Sequence, residues 1–193
     1  MLLIDVRIKN YKCILDSETF SIDQLTCLVG KNESGKSAIL QALYKLNPVD
    51  KEDTYDALYE YPKMYQTDFE AGLIEDGDTV VISHWKFTAE EIEALEKQFG
   101  TDFIGDSTVV TISNGYKNKR TWDFDANFHS LFEKKMEEFG FETSDRAQIP
   151  SYDSIGEVRA QLKSISTLSE AEQEFRKWFE VSFPNDRLDV FAE

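Results

Sequence analysis

Lys36 and Ser37 close an eight-residue run, Gly30-Lys31-Asn32-Glu33-Ser34-Gly35-Lys36-Ser37, that fits the spacing G-x-x-x-x-G-K-[ST]. That spacing builds a cradle for a polyphosphate. Successive backbone N–H groups curl round phosphate oxygens, and the start of a following helix adds the positive end of its dipole. Gly30 and Gly35 permit turns and a close approach of ligand to backbone that a Cβ would obstruct. The Lys36 ammonium can reach β- and γ-phosphates, and the Ser37 hydroxyl can ligate Mg2+. The candidate binding set is therefore Gly30, Lys31, Asn32, Glu33, Ser34, Gly35, Lys36 and Ser37, with Ala38 next in the chain.

Such a loop needs a strand before it and a helix after it. Leu25, Cys27, Leu28 and Val29 are read as a buried strand entering the loop, and Ile39, Leu40, Ala42, Leu43 and Leu46 as the apolar positions of a helix that Asn47-Pro48 ends. Upstream, Leu2, Ile4, Val6 and Ile8 alternate with Leu3, Asp5, Arg7 and Lys9, a half-buried strand. Asn10-Tyr11-Lys12 interrupts it, and a second extended stretch follows through Cys13, Ile14 and Leu15, so two short strands or a hairpin precede the loop strand.

Downstream, residues 50–78 are acidic and carry Tyr55, Tyr59, Tyr61 and Tyr65, read as packing a connecting loop, with stacking on a base as the other use of such rings. Val80 to Phe87 is a β run with His84 on its solvent side. Thr88-Ala89-Glu90-Glu91 opens a helix that Gly100 stops. Val109–Ile112 and Thr121–Phe124 form a hairpin expected to turn at Asn114-Gly115, with a basic tip at Lys117, Lys119 and Arg120 that is either solvated or touches nucleic acid. The last third is helical: Phe128, Leu131, Phe132, Met136 and Phe139 mark one face ended by Gly140, Ser154 and Ser169 each begin a helix, and Phe175, Trp178, Phe179 and Phe183 stripe the last one.

With 193 residues, 41% hydrophobic and 13% aromatic, the chain can bury a substantial core. No apolar run is long enough to span a bilayer, and the N-terminus lacks the h-region and cleavage site of a signal peptide. Cys13 and Cys27 match no metal-ligand spacing and are read as small core residues in a reducing cytoplasm. The net charge is −16, yet residues 1–49 hold six basic and five acidic residues while residues 50–106 hold sixteen acidic and four basic. The acidic block repels a phosphate backbone and is read as a solvated face, so any DNA contact falls to a local patch or to regions outside this chain.

The order of a first strand, Asn10-Tyr11-Lys12, a short edge strand and then Gly30–Ser37 resembles the N-terminal lobe of ABC-type (SMC/RecF-like) P-loop ATPases. The form G-K-N-E-S-G-K-S followed by L-Q-A-L-Y-K-L-N-P most resembles OLD-family (overcoming lysogenization defect) ATP-dependent endonucleases, AAA family ATPases. Glu33 stands where the SMC branch commonly has glycine. The resemblance implies ATP and Mg2+ as ligands, Lys12 near the phosphates, heads that pair as a homodimer or oligomer, and a role in DNA repair or anti-phage defence. From the residues alone, a solvated lysine at a strand end remains an open reading of Lys12.

Hydrolysis requires a carboxylate at the end of a second buried strand and a group that orients water. No four-residue apolar run followed by Asp or Glu occurs; the nearest is Leu188-Asp189-Val190-Phe191-Ala192-Glu193, and no L-S-G-G-like signature is present. The expectation is an α/β P-loop fold, an ABC-type N-terminal lobe with a mixed sheet, an antiparallel β element and a C-terminal helical segment. Residues 1–125 would form the ATPase lobe and 126–193 the helical segment, cut before the catalytic lobe and any nuclease domain. Catalytic residues stay unassigned. The alternative is a nucleotide-binding interaction module without turnover of its own. A GTPase is disfavoured because Asn118-Lys119-Arg120-Thr121 lacks the aspartate of N-K-x-D, and a small-molecule kinase because the arginines are scattered.

Overall fold

The computed structural model describes residues 1–50, 52–74 and 77–183, which fall into two compact units. The first comprises residues 1–88 and 108–124. It holds five strands, β1 (Leu2–Tyr11), β2 (Ile14–Ser21), β3 (Thr79–Lys86), β4 (Val109–Gly115) and β5 (Arg120–Phe124), in the spatial order β2-β1-β3-β4-β5. Every neighbouring pair is antiparallel. The sheet is thus not mixed as the sequence suggested. The run Leu25–Val29, expected to be a buried strand entering the loop, forms no strand: Leu25 and Val29 are each 90% exposed. A strand exists only where a neighbour takes its N–H and C=O groups, and among the described residues no ladder reaches this segment. Cys13 and Cys27 are both exposed, contrary to the expectation of small core residues: Cys13 lies in the β1–β2 turn and Cys27 in that unpaired segment.

β1 and β2 form the expected hairpin, joined by the two-residue turn Lys12-Cys13, with Tyr11 opposite Ile14. Lys12 takes a left-handed φ of 54°, the positive first turn position that suits the twist of a tight hairpin. Helix α1 (Lys36–Tyr44) packs over β1 and β3. Its Ala38 and Ala42 are buried with Ile8, Tyr11, Ile14, Val80 and Val81. The stretch after α1 contributes two short helices, α2 (Ala57–Glu60) and α3 (Gln66–Glu70), separated by a 3-10 turn at Lys63–Tyr65. Tyr55 and Tyr61 join the same core with Tyr116, as the packing reading of these tyrosines expected, while Tyr59 is exposed.

The β4–β5 hairpin turns later than Asn114-Gly115. Its bend is a 3-10 turn at Tyr116–Asn118, where Lys117 takes the left-handed backbone, and Asn114 faces Arg120. Gly115 is extended and serves another purpose: a Cβ there would lie 1.9 Å from the carbonyl oxygen of Asp78 and 2.8 Å from its carbon. That oxygen accepts a hydrogen bond from the Tyr116 amide at 2.8 Å. Gly115→Ala should accordingly destabilise this unit by about 1–3 kcal/mol, since backbone has no rotamer by which to yield. A lower urea midpoint at unchanged slope is the expected reading, and an unchanged midpoint would contradict it. His84, expected to face solvent, is half-buried and paired across the β1–β3 register with Asp5. Lys117 and Lys119 of the basic tip both reach Asp78, and the Arg120 guanidinium lies over Trp122.

The second unit, described over residues 89–107 and 125–183, is helical: α4 (Ala89–Phe99), α5 (Phe128–Glu138), α6 (Thr143–Gln148), α7 (Ile155–Ser164) and α8 (Glu170–Ser182). Ser154 caps α7 and Ser169 forms a full capping box with Glu172 on α8, as their spacing predicts. Gly100 and Gly140 follow α4 and α5 with left-handed φ values of 107° and 74°. The aromatic stripes meet: Phe132 of α5 contacts Phe175, Trp178, Phe179 and Phe183. These rings form a packed core. The Leu188–Glu193 stretch lies outside the described residues.

Candidate phosphate-binding site

Gly35 sets the geometry of the loop. It is the N-cap of α1 with φ 90° and ψ 1°, a left-handed conformation that glycine adopts without a steric penalty. The chain therefore turns sharply into the helix, and the Ile39 amide donates to the Gly35 carbonyl at 2.9 Å as the first helical bond. Glu33 is also left-handed, with φ 68°. At Gly30 a Cβ would approach Ser34 Oγ to 2.9 Å, a contact that rotation of the exposed Ser34 hydroxyl can relieve.

The Lys36 ammonium lies inside this curl. It donates to the carbonyl oxygens of Gly30 at 2.9 Å and Lys31 at 2.6 Å, with Ser34 Oγ at 3.4 Å. Asn32, Glu33, Gly35, Lys36, Ser37 and Ala38 line an open cleft of about 600 Å³. Lys12, Cys13 and Gln41 complete its wall. Of the residues singled out from the sequence, Gly30, Lys31 and Ser34 stand behind this lining, where they touch Lys36 or pack against one another. Lys12, placed near the phosphates only by resemblance, does share one cleft with Lys36. Its Nζ donates to Gln41 Oε1 and lies 5.4 Å from the Tyr11 ring centre.

Two cationic side chains thus face one opening beside a helix N-terminus, an arrangement suited to an anion carrying several charges. A nucleoside triphosphate with Mg2+ fits these residues: left-handed Gly35 exposes the start of α1, Lys36 and Lys12 supply charge, and the exposed Ser37 hydroxyl supplies an oxygen ligand. Among the described residues, no group of three His, Cys, Asp or Glu side chains could hold a metal ion.

Sequence reasoning missed what braces the site. Glu60 is buried, its side chain 11% exposed. It accepts from Tyr11 Oη at 2.8 Å, from the Asp56 amide at 3.0 Å, and from Lys45 Nζ at 2.9 Å on one oxygen and 3.0 Å on the other. Burial pushes the Glu60 carboxyl upward, but the bonds from Lys45, the Asp56 amide and Tyr11 outweigh it and hold the group below the ordinary range. Lys45, also paired with Asp53 at 3.0 Å, is held above its ordinary value despite its burial. Fifteen residues separate Lys45 from Glu60 on different elements, so no local spacing signals the pair.

Residues 1–182 match the family model described as an AAA ATPase domain, and the chain belongs to that family. No curated protein matches it. Among the described residues, no helix is long and apolar enough to cross a membrane.

Proposed function

We propose that this chain is the nucleotide-binding lobe of an OLD- or RecF-like ATPase, which in its complete form couples ATP binding and hydrolysis to DNA processing in repair or anti-phage defence. The observation that carries the reading is the Lys36 ammonium, held by the carbonyls of its own loop and facing Lys12 across one cleft. The ligand is ATP with Mg2+. The amides of Gly30–Ser37 and the Lys36 ammonium hold its phosphates, and the Ser37 hydroxyl ligates the metal. Bound ATP would supply a phosphoanhydride, and Mg2+ held by the Ser37 hydroxyl would supply positive charge beside the phosphates.

The OLD- or RecF-like assignment draws support from Asn10-Tyr11-Lys12. Asn10 and Lys12 are both left-handed, at φ 52° and 54°, while Tyr11 between them is fully buried. That alternation anchors the tyrosine and leaves Lys12 at the cleft. Further support comes from the apolar surface beside the loop. Leu25 and Val29 of the entering segment are 90% exposed, and Leu40 and Tyr44, one turn apart on α1, are 60% and 46% exposed. An apolar surface of this kind fits burial by further polypeptide. We assign that role to a C-terminal lobe that pairs with residues 25–29, brings the Mg2+-binding carboxylate and pairs two heads. DNA is engaged through regions outside this chain.

Calorimetric titration with Mg-ATP and with Mg-GTP, with phosphate release followed in parallel, tests the reading. Saturable binding of Mg-ATP in preference to Mg-GTP, without phosphate release by this chain alone, is the expected result. Phosphate release would place the catalytic carboxylate within these residues. Absence of any nucleotide binding would overturn the proposal.

A further inference from the structure

We propose that Glu60 is a positioning residue for phosphate binding, which holds the Lys12 ammonium in the cleft opposite Lys36. The inference rests on the phosphate-site reading above. Glu60 works from both its ends. Its main-chain oxygen accepts the Lys12 amide at 2.6 Å. Its carboxylate binds Tyr11, the residue before Lys12, and Lys45, which follows the last turn of α1. One side chain thereby links the β1–β2 turn, the C-terminal end of α1 and the segment Asp56–Glu60.

Lys12 needs such a constraint. A non-glycine residue in the left-handed region is strained and persists there only where its surroundings fix it. A relaxed turn would swing the Lys12 side chain away from Gln41 and out of the cleft. Glu60→Gln keeps the shape but replaces one acceptor oxygen with a donor that faces the Lys45 ammonium together with either the Tyr11 hydroxyl or the Asp56 amide. The bracket then cannot satisfy all of its partners at once. Neither Glu60 nor Lys45 lines the cleft, so an effect on the ligand is indirect, and one carried by α1 rather than by Lys12 would persist when Lys12 is removed.

A double-mutant cycle separates this role from a general contribution to folding. Mg-ATP affinity is measured for the wild type, Glu60→Gln, Lys12→Ala, the double variant and Lys36→Ala. Glu60→Gln should bind about tenfold more weakly than wild type, the scale of one charged contact. In the Lys12→Ala background it should cause no further loss. Affinity within about twofold of wild type, below the scale of one contact, overturns the proposal, as does an equal loss in both backgrounds. If Glu60→Gln lacks native circular dichroism, Tyr11→Phe takes its place in the same cycle. That change removes only the hydroxyl that donates to Glu60, and it should show a smaller loss with the same dependence on Lys12; a loss independent of Lys12 refutes the idea. Should Lys36→Ala bind as well as wild type, the phosphate-site reading fails and this inference with it. Weak binding by Lys36→Ala alone, with Glu60→Gln unaffected, refutes only the role of Glu60.

Discussion

Lys36→Ala is expected to lower Mg-ATP affinity about tenfold to a hundredfold, the loss of roughly 1.5–3 kcal/mol that a charged hydrogen-bonding partner supplies. Thermal stability should move far less. The ammonium sits on the carbonyls of Gly30 and Lys31, and both of those residues are exposed. Water can therefore replace the lysine in the variant without burying an unsatisfied oxygen, and a surface change of this kind costs within about 0.5 kcal/mol. The contrast between the two readouts is the informative part. A lysine that merely braces its loop would show the reverse: a lowered melting temperature and little change in nucleotide affinity. Lys36→Arg should fall between wild type and alanine, because it keeps the charge but not the compact ammonium that fits inside the curl. Affinity of Lys36→Ala within about threefold of wild type, less than one hydrogen bond is worth, would remove this residue from the site.

The turn at Gly35 and the helix that follows it were legible in the sequence because their requirements are local. A left-handed glycine, a lysine and a hydroxyl at fixed spacing produce the same turn wherever the chain can start a helix. The same holds for the helix ends at Ser154, Ser169, Gly100 and Gly140. What depended on a distant partner was not legible. Leu25–Val29 has the composition of a strand, yet composition cannot supply the neighbouring strand that its backbone needs. Asn114-Gly115 has the sequence of a tight hairpin turn, but Gly115 is used for the close approach of the Asp78 carbonyl, and the bend shifts to Lys117. His84 pairs with Asp5 through a β1–β3 register that no single sequence specifies. Glu60 looked like one more acid in an acidic block. Only the fold brings Lys45 and Tyr11 to it.

The tyrosine cluster around that bracket sets an alkaline limit on stability. Burial, reinforced for Tyr11 by the Glu60 hydrogen bond, holds the phenols of Tyr11, Tyr55, Tyr61 and Tyr116 above their ordinary value. Nearby charge acts in the same direction: Glu60 faces Tyr11, Tyr55 and Tyr116, and Asp78 faces Tyr61. A group raised in the folded state stabilises fully below its unfolded pKa, about 10 for tyrosine, and loses that contribution as pH rises through the folded value. Stability of the sheet unit should therefore fall above pH about 10, by about 1.4 kcal/mol per pH unit for each tyrosine that stays protonated in the fold. Urea midpoints taken from neutral to strongly alkaline pH, with phenolate absorbance followed in parallel, give the reading. Of the eight tyrosines in the chain, these four should ionise only as the unit unfolds. Tyr61 separates burial from hydrogen bonding, because its buried hydroxyl has no hydrogen-bond partner among the described residues. Tyr61→Phe should cost little at neutral pH and should leave the protein more alkali-resistant than wild type. Tyr55→Phe forfeits the 2.8 Å bond to the Ala42 carbonyl and should lose about 1 kcal/mol at neutral pH. Phenolate absorbance from all eight rings before the unfolding transition would mean that water reaches this cluster in the folded protein, and the bracket that holds Lys12 would lose its dry surroundings.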